Sequence, residues 1–327
     1  MLNRNNSNET LQCTVEESSN QEPIYIFGHQ SPDTDSICSA IAVADLKSRL
    51  GKQNYIPTRL GELNKETLFV LESFGIPVPC AFYNACGKNV VLVDHNEKKQ
   101  SAEGVEDANI LEIIDHHRIA NLETKNPLHV TMEPAGSTAS IVYKQYLYNN
   151  ISPTKNIAGI LLSALLSDTL ILTSPTTTDE DKLLATALAD IAGIDNYQEY
   201  GKEMLRKGSS TEGYTPQEIL AQDRKEFNFG DVTAFVSQII TYDTAPVLNQ
   251  KNAILQALRE HIADNNSTLG LLVVTDLNIN ASTLIVTGKD APLAHTAFSM
   301  SGDTIFLEGV VSRKTQIIPP LTEVTRK

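Results

Sequence analysis

The stretch IYIFGHQSPDTDSICSAIA, residues 24–42, predicts a strand, a short polar loop and a helix in succession. IYIF is apolar and rich in β-branched residues, and the apolar positions after Asp35 have helical spacing. The loop between them contains His29, Asp33 and Asp35. One carboxylate is favourable at a helix N-terminus, and Asp35 alone could act as the N-cap. The histidine and the second carboxylate need another explanation.

The pattern of strand followed by helix continues beyond this stretch. Further strands are predicted at NYIPTRL (54–60), VVLVD (90–94), ILEIID (110–115) and LHVTMEP (128–134), and helices at about 35–50, around 63–73 and from near residue 136. Such alternation favours a parallel sheet that is covered on both faces. We therefore predict an α/β fold with a doubly wound, mainly parallel sheet. The apolar stretch 157–174 is interpreted as a buried helix and not a membrane span, because a charge at Asp168 is costly in lipid.

Composition and spacing divide the chain into four segments. These are a disordered polar tail at 1–22, a first domain at 23–207, a linker at 208–214 and a smaller C-terminal α/β domain with a mixed sheet at 215–327. The linker is indicated by the turn-forming residues in KGSSTEGYTP. Within the first domain, Thr178 and Asp181 predict a capping box at a helix start. In the second domain, helices are predicted near 246–263 and 291–299.

Charge and cysteine content exclude several classes of partner. The net charge of −14 argues against nucleic acid or an anionic membrane as the main partner. A small anionic substrate stays possible if metal ions or a local basic cluster offset the repulsion. The four cysteines lack a C-x-x-C pairing, and residues 1–20 lack the apolar core of a signal peptide. A reduced, cytoplasmic setting is expected.

Ligand-type side chains follow three predicted strands, and one more lies within the predicted buried helix. They are His29, Asp33 and Asp35, then Asp94 and His95, then Asp115, His116 and His117, and lastly Asp168. Each alone has an ordinary structural explanation, since Asp168 could simply bond Ser167 or Thr169. Because the carboxyl ends of parallel strands share one edge of a sheet, these groups are expected to meet there. Carboxylates placed together repel, and a pair of divalent metal ions would remove that repulsion.

The ligand types indicate the metal and the reaction class. Carboxylates with imidazoles and no thiolate suit Mn²⁺, with Co²⁺ or Fe²⁺ possible, and argue against a structural zinc site. Two such ions activate a bridging water for hydrolysis at phosphorus or at a carbonyl. Arg313 and Lys314, directly after a predicted strand, suit phosphate oxygens. Lys225, on the other side of that domain, could also lie on a solvated basic face.

The motifs GHQSPDTDS, VDHNE, EIIDHHRIAN, SDT and VVSRK resemble those of the family II, manganese-dependent inorganic pyrophosphatases of the DHH phosphoesterase superfamily. The resemblance extends from about residue 23 to the C-terminus. It implies hydrolysis of pyrophosphate to two phosphates by a water that two metal ions bridge and activate. It also implies a homodimer through the N-terminal domain, an active site in the interdomain cleft, domains that close over the substrate, and additional Mg²⁺ that arrives with the pyrophosphate.

The resemblance also implies a role for each matched residue. The first metal would be held by His29, Asp33 and Asp94, and the second by Asp35, Asp94, His116 and Asp168, with Asp94 bridging. His117 would be the general acid near the leaving group, and Lys225, Arg313 and Lys314 would bind phosphate. Asp115 and His95 are expected to support neighbouring ligands. The alternatives are a short-chain exopolyphosphatase, another DHH-type phosphoesterase, or a binding module without turnover.

Overall fold

A computed structural model describes residues 22–325 of the chain, which form two compact units. The first unit ends at Gly208 and the second begins at Ser209. The predicted polar tail at 1–22 lies outside the described residues except for Glu22. In the described part of the chain, no helix is both long and apolar enough to cross a membrane.

The described part of the first unit contains a six-stranded, all-parallel sheet in the order β3-β2-β1-β4-β5-β6. Its strands are β1 (Ile24–Phe27), β2 (Tyr55–Arg59), β3 (Cys80–Ala81), β4 (Asn89–Val93), β5 (Asn109–Asp115) and β6 (His129–Met132). Its helices are α1 (Thr34–Arg49), α2 (Lys65–Ser73), α3 (Thr138–Tyr148), α4 (Lys155–Asp168), α5 (Asp179–Ala192) and α6 (Tyr197–Gly208). The predicted α/β class and the parallel sheet are confirmed.

Both faces of the central strands are buried, as expected for parallel strands. On one face, Phe27, Val90 and Leu92 form a cluster with Ala102 and Val105 from the connection between β4 and β5. On the other face α1 packs against β1 and β4, and α3 and α4 pack against α1. The sheet therefore holds the ends of β1, β4 and β5 rigidly side by side.

Helix α4 ends at Asp168, so the expectation of a helix over the whole of 157–174 is wrong beyond that residue. Leu170, Ile171 and Leu172 have positive φ values of 48°, 57° and 62°. Three consecutive branched residues in the left-handed region cost energy, so surrounding contacts must hold them there. Thr169 contributes, because its buried Oγ1 accepts a 3.1 Å hydrogen bond from the Leu172 amide. The turn places Asp168 at the very end of its helix.

The second unit contains a five-stranded mixed sheet in the order β11-β10-β9-β8-β7, as far as it is described. Its strands are β7 (Lys225–Phe229), β8 (Val232–Thr241), β9 (Leu269–Asp276), β10 (Ala281–Thr287) and β11 (Thr304–Glu308). Its helices are α7 (Pro216–Ala221), α8 (Ala245–Leu248), α9 (Lys251–Asp264), α10 (Ala291–Phe298) and α11 (Ile318–Thr325). Strands β8 and β9 are parallel and the other pairs are antiparallel, so the predicted mixed sheet is confirmed.

Candidate metal centre

The strand order of the first sheet reverses between β1 and β4, and the loops after these strands carry expected ligands. β1 ends at Phe27 and leads into the loop with His29 and Asp33, while Asp94 follows the end of β4 at Val93. The crevice at such a reversal is the usual binding position in an open parallel sheet. Asp94 has a φ of +57°. This left-handed region is uncommon for non-glycine residues, although aspartate adopts it more readily than most.

His29, Asp33 and Asp94 form a first cluster of ligand atoms that lie within 4.8 Å of one another. His29 Nε2 lies 3.3 Å from Asp33 Oδ2 and 3.5 Å from Asp94 Oδ2. Asp33 is also the N-cap of α1, because its Oδ1 accepts a 3.0 Å hydrogen bond from the Ser36 amide. The helix cap is therefore Asp33 and not Asp35, which lies in the first turn.

The second cluster shares Asp94 with the first and consists of Asp35, Asp94, His116 and Asp168. His116 Nε2 lies 3.5 Å from Asp94 Oδ1 and 3.6 Å from Asp168 Oδ2. The other ring nitrogen, Nδ1, lies 2.9 Å from the Ala135 carbonyl oxygen. Because a carbonyl only accepts, the proton of a neutral ring is on Nδ1. Nε2 is buried without a hydrogen-bond partner among the described residues and lies beside the carboxylates, so in the neutral ring its lone pair is available to a metal ion.

The two clusters hold protons when no cation is bound. Burial and the nearby Asp35 and Asp94 carboxylates raise the pKa of Asp168 to about 11, and burial and Asp94 raise the pKa of Asp35 to about 8. Burial favours neutral imidazoles, but the adjacent carboxylates outweigh it and raise the pKa of His29 to about 10 and that of His116 to about 9. Two divalent cations would replace these protons. The oxygen and nitrogen donors therefore fit a two-ion centre, and they suit Mn²⁺.

His117 is exposed beside the clusters, and Asp115 holds its ring. Asp115 Oδ1, fully buried at the end of β5, accepts hydrogen bonds from the His117 amide at 3.0 Å and from His117 Nδ1 at 2.9 Å. This carboxylate contact raises the pKa of His117. Asp115 Oδ2 accepts a 2.6 Å hydrogen bond from Asn96 Nδ2. Asn96 Oδ1 also accepts a 2.6 Å hydrogen bond from the Ala120 amide, so Asn96 fixes the loop that carries His117.

His95 lies next to Asp94 in sequence but makes its contacts elsewhere. Its Nδ1 lies 2.9 Å from the Val93 carbonyl oxygen, and its Nε2 lies 3.1 Å from Ser101 Oγ. The ring is buried beside the Phe27 ring, and burial lowers its pKa. His95 therefore supports the loop after β4 as a neutral residue.

The start of α3 contacts the carboxylates of Asp35 and Asp94, and the sequence motifs did not predict this contact. The amides of Thr138 and Ala139 donate to Asp35 at 2.6 and 2.9 Å, and Thr138 Oγ1 donates to Asp94 Oδ1 at 3.0 Å. The available signal was Ser137, which caps α3. A cap predicts where a helix begins but not which neighbours its amides face.

Arg313 in the second unit is buried and holds the segment before β7. Its Nη1 donates to the carbonyl oxygens of Asp223 and, at 3.3 Å, Val236, and its Nη2 lies 2.8 Å from Asp223 Oδ1. Lys225 pairs with Val236 across β7 and β8. The expectation that Lys225 lies on the other side of the domain from Arg313 is therefore wrong, because Val236 contacts both.

Arg313 and Lys314 were predicted to follow a strand directly, and this prediction is wrong. They open a π-helical turn at Arg313–Ile317, and residues 309–312 separate this turn from the end of β11. Gln316 stabilises the turn, because its Oε1 accepts hydrogen bonds from the amides of Val311 and Ser312, each at 3.0 Å. Lys314 is exposed on this turn.

Comparisons with known proteins identify two domains in the chain. Residues 23–165 match the DHH family, N-terminal domain, and residues 202–324 match the DHHA2 domain. The chain is 44% identical over 306 residues to the manganese-dependent inorganic pyrophosphatase of Bacillus subtilis, covering 92% of this chain and 98% of that protein. It is 45% identical over 302 residues to an Oceanobacillus iheyensis protein provisionally designated a manganese-dependent inorganic pyrophosphatase, covering 91% and 97%.

A solved structure extends the similarity to the fold. A Methanococcus jannaschii protein, provisionally designated a family II inorganic pyrophosphatase, is 38% identical and aligns with a TM-score of 0.58. The alignment covers 93% of this chain and 100% of that protein. The chain belongs to the family of manganese-dependent, family II inorganic pyrophosphatases.

Proposed function

We propose that this chain hydrolyses inorganic pyrophosphate to two phosphates. The observation that carries the proposal is that two ligand clusters share the carboxylate of Asp94, with His29 facing one oxygen and His116 the other. A carboxylate that offers one oxygen to each cluster can hold two ions close together, as in two-metal hydrolytic sites. The relatives named as manganese-dependent inorganic pyrophosphatases indicate the substrate and the metal.

Two Mn²⁺ ions per chain are proposed, with Co²⁺ as a substitute and Mg²⁺ bound to the substrate. The ligands of the first ion are His29, Asp33 and Asp94, and those of the second are Asp35, Asp94, His116 and Asp168. When bound, the ions supply a water of lowered pKa as nucleophile and neutralise charge on the phosphoryl oxygens.

The remaining proposed residues act on the substrate itself. His117, held at Nδ1 by Asp115, is proposed to donate a hydrogen bond or a proton to the departing phosphate. Lys225, Arg313 and Lys314 are proposed to bind phosphate oxygens, since positive charge there stabilises the charge that develops during phosphoryl transfer. That the substrate occupies a cleft between the domains stays a prediction.

A phosphate-release assay with several substrates tests the proposal. Pyrophosphate, tripolyphosphate and a cyclic dinucleotide are each supplied with Mn²⁺ or with Mg²⁺ alone. We expect kcat/KM to be highest for pyrophosphate and higher with Mn²⁺ than with Mg²⁺, because two histidines favour Mn²⁺. A preference for tripolyphosphate would identify an exopolyphosphatase. Absence of turnover on all three substrates would identify a binding module and contradict the proposal.

Removal of a proposed phosphate ligand is expected to weaken use of the substrate and not metal binding. Lys314→Ala deletes an exposed charge, and Arg313→Ala deletes a buried one. A hydrogen bond to a charged group contributes about 1.5–3 kcal/mol, so each change should raise KM for pyrophosphate about 10- to 100-fold. Mn²⁺ affinity should stay constant.

The matched control for these variants is Lys251→Ala, which removes a lysine of the same unit from a 3.0 Å ion pair with Asp303. This variant should retain the original KM. The role of Arg313 and Lys314 would be contradicted if their variants lost Mn²⁺ with an unchanged KM. Lys314→Ala keeps the test informative if Arg313→Ala is unstable, because Lys314 is exposed.

A homodimer through the first unit is also proposed. Strand β6 is the last strand of the sheet order, and Val130 on it is 49% exposed. A cavity of about 620 Å³ beside this strand is lined by His129, Thr131 and the 77% exposed Tyr148. An unpaired strand edge beside exposed apolar residues is a surface on which a second copy can pair. Sedimentation equilibrium should give twice the subunit mass, and Val130→Arg should give a monomer.

A reducing, cytoplasmic compartment is proposed for the chain. Among the described residues, Cys38, Cys80 and Cys86 are free thiols. Free thiols persist in reducing compartments.

A further inference from the structure

Thr138 is the residue through which α3 contacts the two carboxylates at the centre of the site. Its amide donates to Asp35 Oδ2 at 2.6 Å, and its hydroxyl donates to Asp94 Oδ1 at 3.0 Å. The Ala139 amide occupies the other oxygen of Asp35 at 2.9 Å. Thr138, Asp35 and Asp94 are each at most 1% exposed. These are therefore buried hydrogen bonds, which water does not replace easily.

The hydroxyl of Thr138 acts on the side-chain torsion of Asp94. His29 faces Asp94 Oδ2 and His116 faces Asp94 Oδ1, each at 3.5 Å. For each oxygen to face one histidine, the carboxylate must adopt a particular torsion angle about the Cβ–Cγ bond. In aspartate this angle varies over a wide range unless contacts restrict it. The hydrogen bond from the Thr138 hydroxyl to Oδ1 restricts the range of this torsion angle, so each carboxylate oxygen stays directed toward one cluster.

Thr138 can orient a carboxylate because its own backbone is held on both sides. Asp181 is buried in the first turn of α5. Its carboxylate accepts hydrogen bonds from the Gly136 amide at 2.9 Å and from the Ser140 hydroxyl at 2.6 Å. Gly136 has no room for a Cβ, which would lie 2.5 Å from Thr169 Cγ2. The start of α3 is thus fixed to α5 and to the end of α4 before any ligand binds.

We propose that Thr138 is a positioning residue for the metal bridge, and that its hydroxyl holds Asp94 in the orientation that serves both ions. The inference rests on the proposed two-ion function and deepens it. Groups that hydrogen-bond a metal ligand from outside typically change metal affinity 10- to 100-fold. Because Asp94 belongs to both clusters, loss of the hydroxyl should weaken both ions together.

The test is a Mn²⁺ titration of metal-free protein, in which electron paramagnetic resonance counts free Mn²⁺. Thr138→Val removes the hydroxyl at nearly constant volume, and Thr138→Ala removes it without adding bulk. Both should bind both ions about 10-fold or more weakly. Thr138→Ser keeps the hydroxyl and should stay within about threefold of the original affinity. Ser163→Ala is the matched control, since Ser163 is a buried hydroxyl bonded to Gly159 and Tyr200.

Three results would overturn the inference. These are unchanged affinity in Thr138→Val and Thr138→Ala, equal loss in Thr138→Ser, and equal loss in Ser163→Ala. A purely structural role for Thr138 would lower the melting temperature and leave the affinity per site unchanged. The original protein separates this inference from the proposed function, because failure of that protein to bind two ions would contradict the function itself.

Discussion

Asp94→Asn is expected to lose both metal ions and nearly all pyrophosphate hydrolysis. Asparagine has the shape of aspartate but no negative charge, and Asp94 is the ligand that both clusters share. Removal of the charge weakens both ions at once, whereas each of the other proposed ligands serves a single ion. Two-metal activation contributes several kcal/mol to the transition state, so the rate should fall about 10³-fold or more. Metal content by atomic absorption and phosphate release measure the two effects.

Asp179→Asn is the matched control for this variant. Asp179 is an exposed carboxylate in the first turn of α5 that pairs with Lys182 at 2.8 Å, and its loss should change neither metal content nor rate. Normal turnover in Asp94→Asn would end the proposal that this carboxylate bridges two ions.

His117→Gln is expected to lower turnover about 10²- to 10⁴-fold, the range that general acid catalysis contributes, with little loss of metal. His117 is exposed beside the clusters, and its Nδ1 is already hydrogen-bonded to Asp115. Glutamine can still donate a hydrogen bond but cannot supply a proton at neutral pH. The comparison of kcat with metal content therefore separates a role on the substrate from a role on the metal.

His116→Gln should show the opposite behaviour. His116 Nε2 is buried beside Asp94 and Asp168 and has no hydrogen-bond partner in the part of the chain that the structure describes. Loss of this ring should therefore release the second ion, and turnover should fall because that ion is missing. The roles of the two histidines would have to be exchanged if His117→Gln released metal and His116→Gln retained it. The geometry makes this a real test, because Asp94, His116 and His117 also lie close enough to hold an ion together.

The ligand residues in the loops after β1, β4 and β5 were predictable because histidine and aspartate side chains can be recognised directly in the sequence. Apolar strand patterns fix where each strand ends, and parallel strands place those ends at one edge. The positions of His29, Asp94 and His116 at that edge follow from these two facts. Sequence patterns also gave the capping box at Thr178 and Asp181, since capping is a local interaction.

Features that depend on backbone atoms or on distant packing were not predictable. The amides of Thr138 and Ala139 could belong to any residue type, so their contact with Asp35 leaves no sequence pattern. The apolar run after Asp168 looks helical, but it forms a left-handed turn that is held partly by a hydrogen bond from the backbone amide of Leu172 to Thr169 Oγ1. Arg313 contacts Asp223 across 90 positions of the chain, which local spacing does not reveal.

The count of bound Mn²⁺ against the rate of pyrophosphate hydrolysis tests the two-ion centre most directly. Metal-free protein is loaded with increasing amounts of Mn²⁺, unbound ion is removed, and bound metal and initial phosphate release are measured in the same samples. The rate should stay low up to one ion per chain and reach its plateau at two. Full activity with a single bound ion, or activity that is independent of bound Mn²⁺, would contradict the two-ion centre.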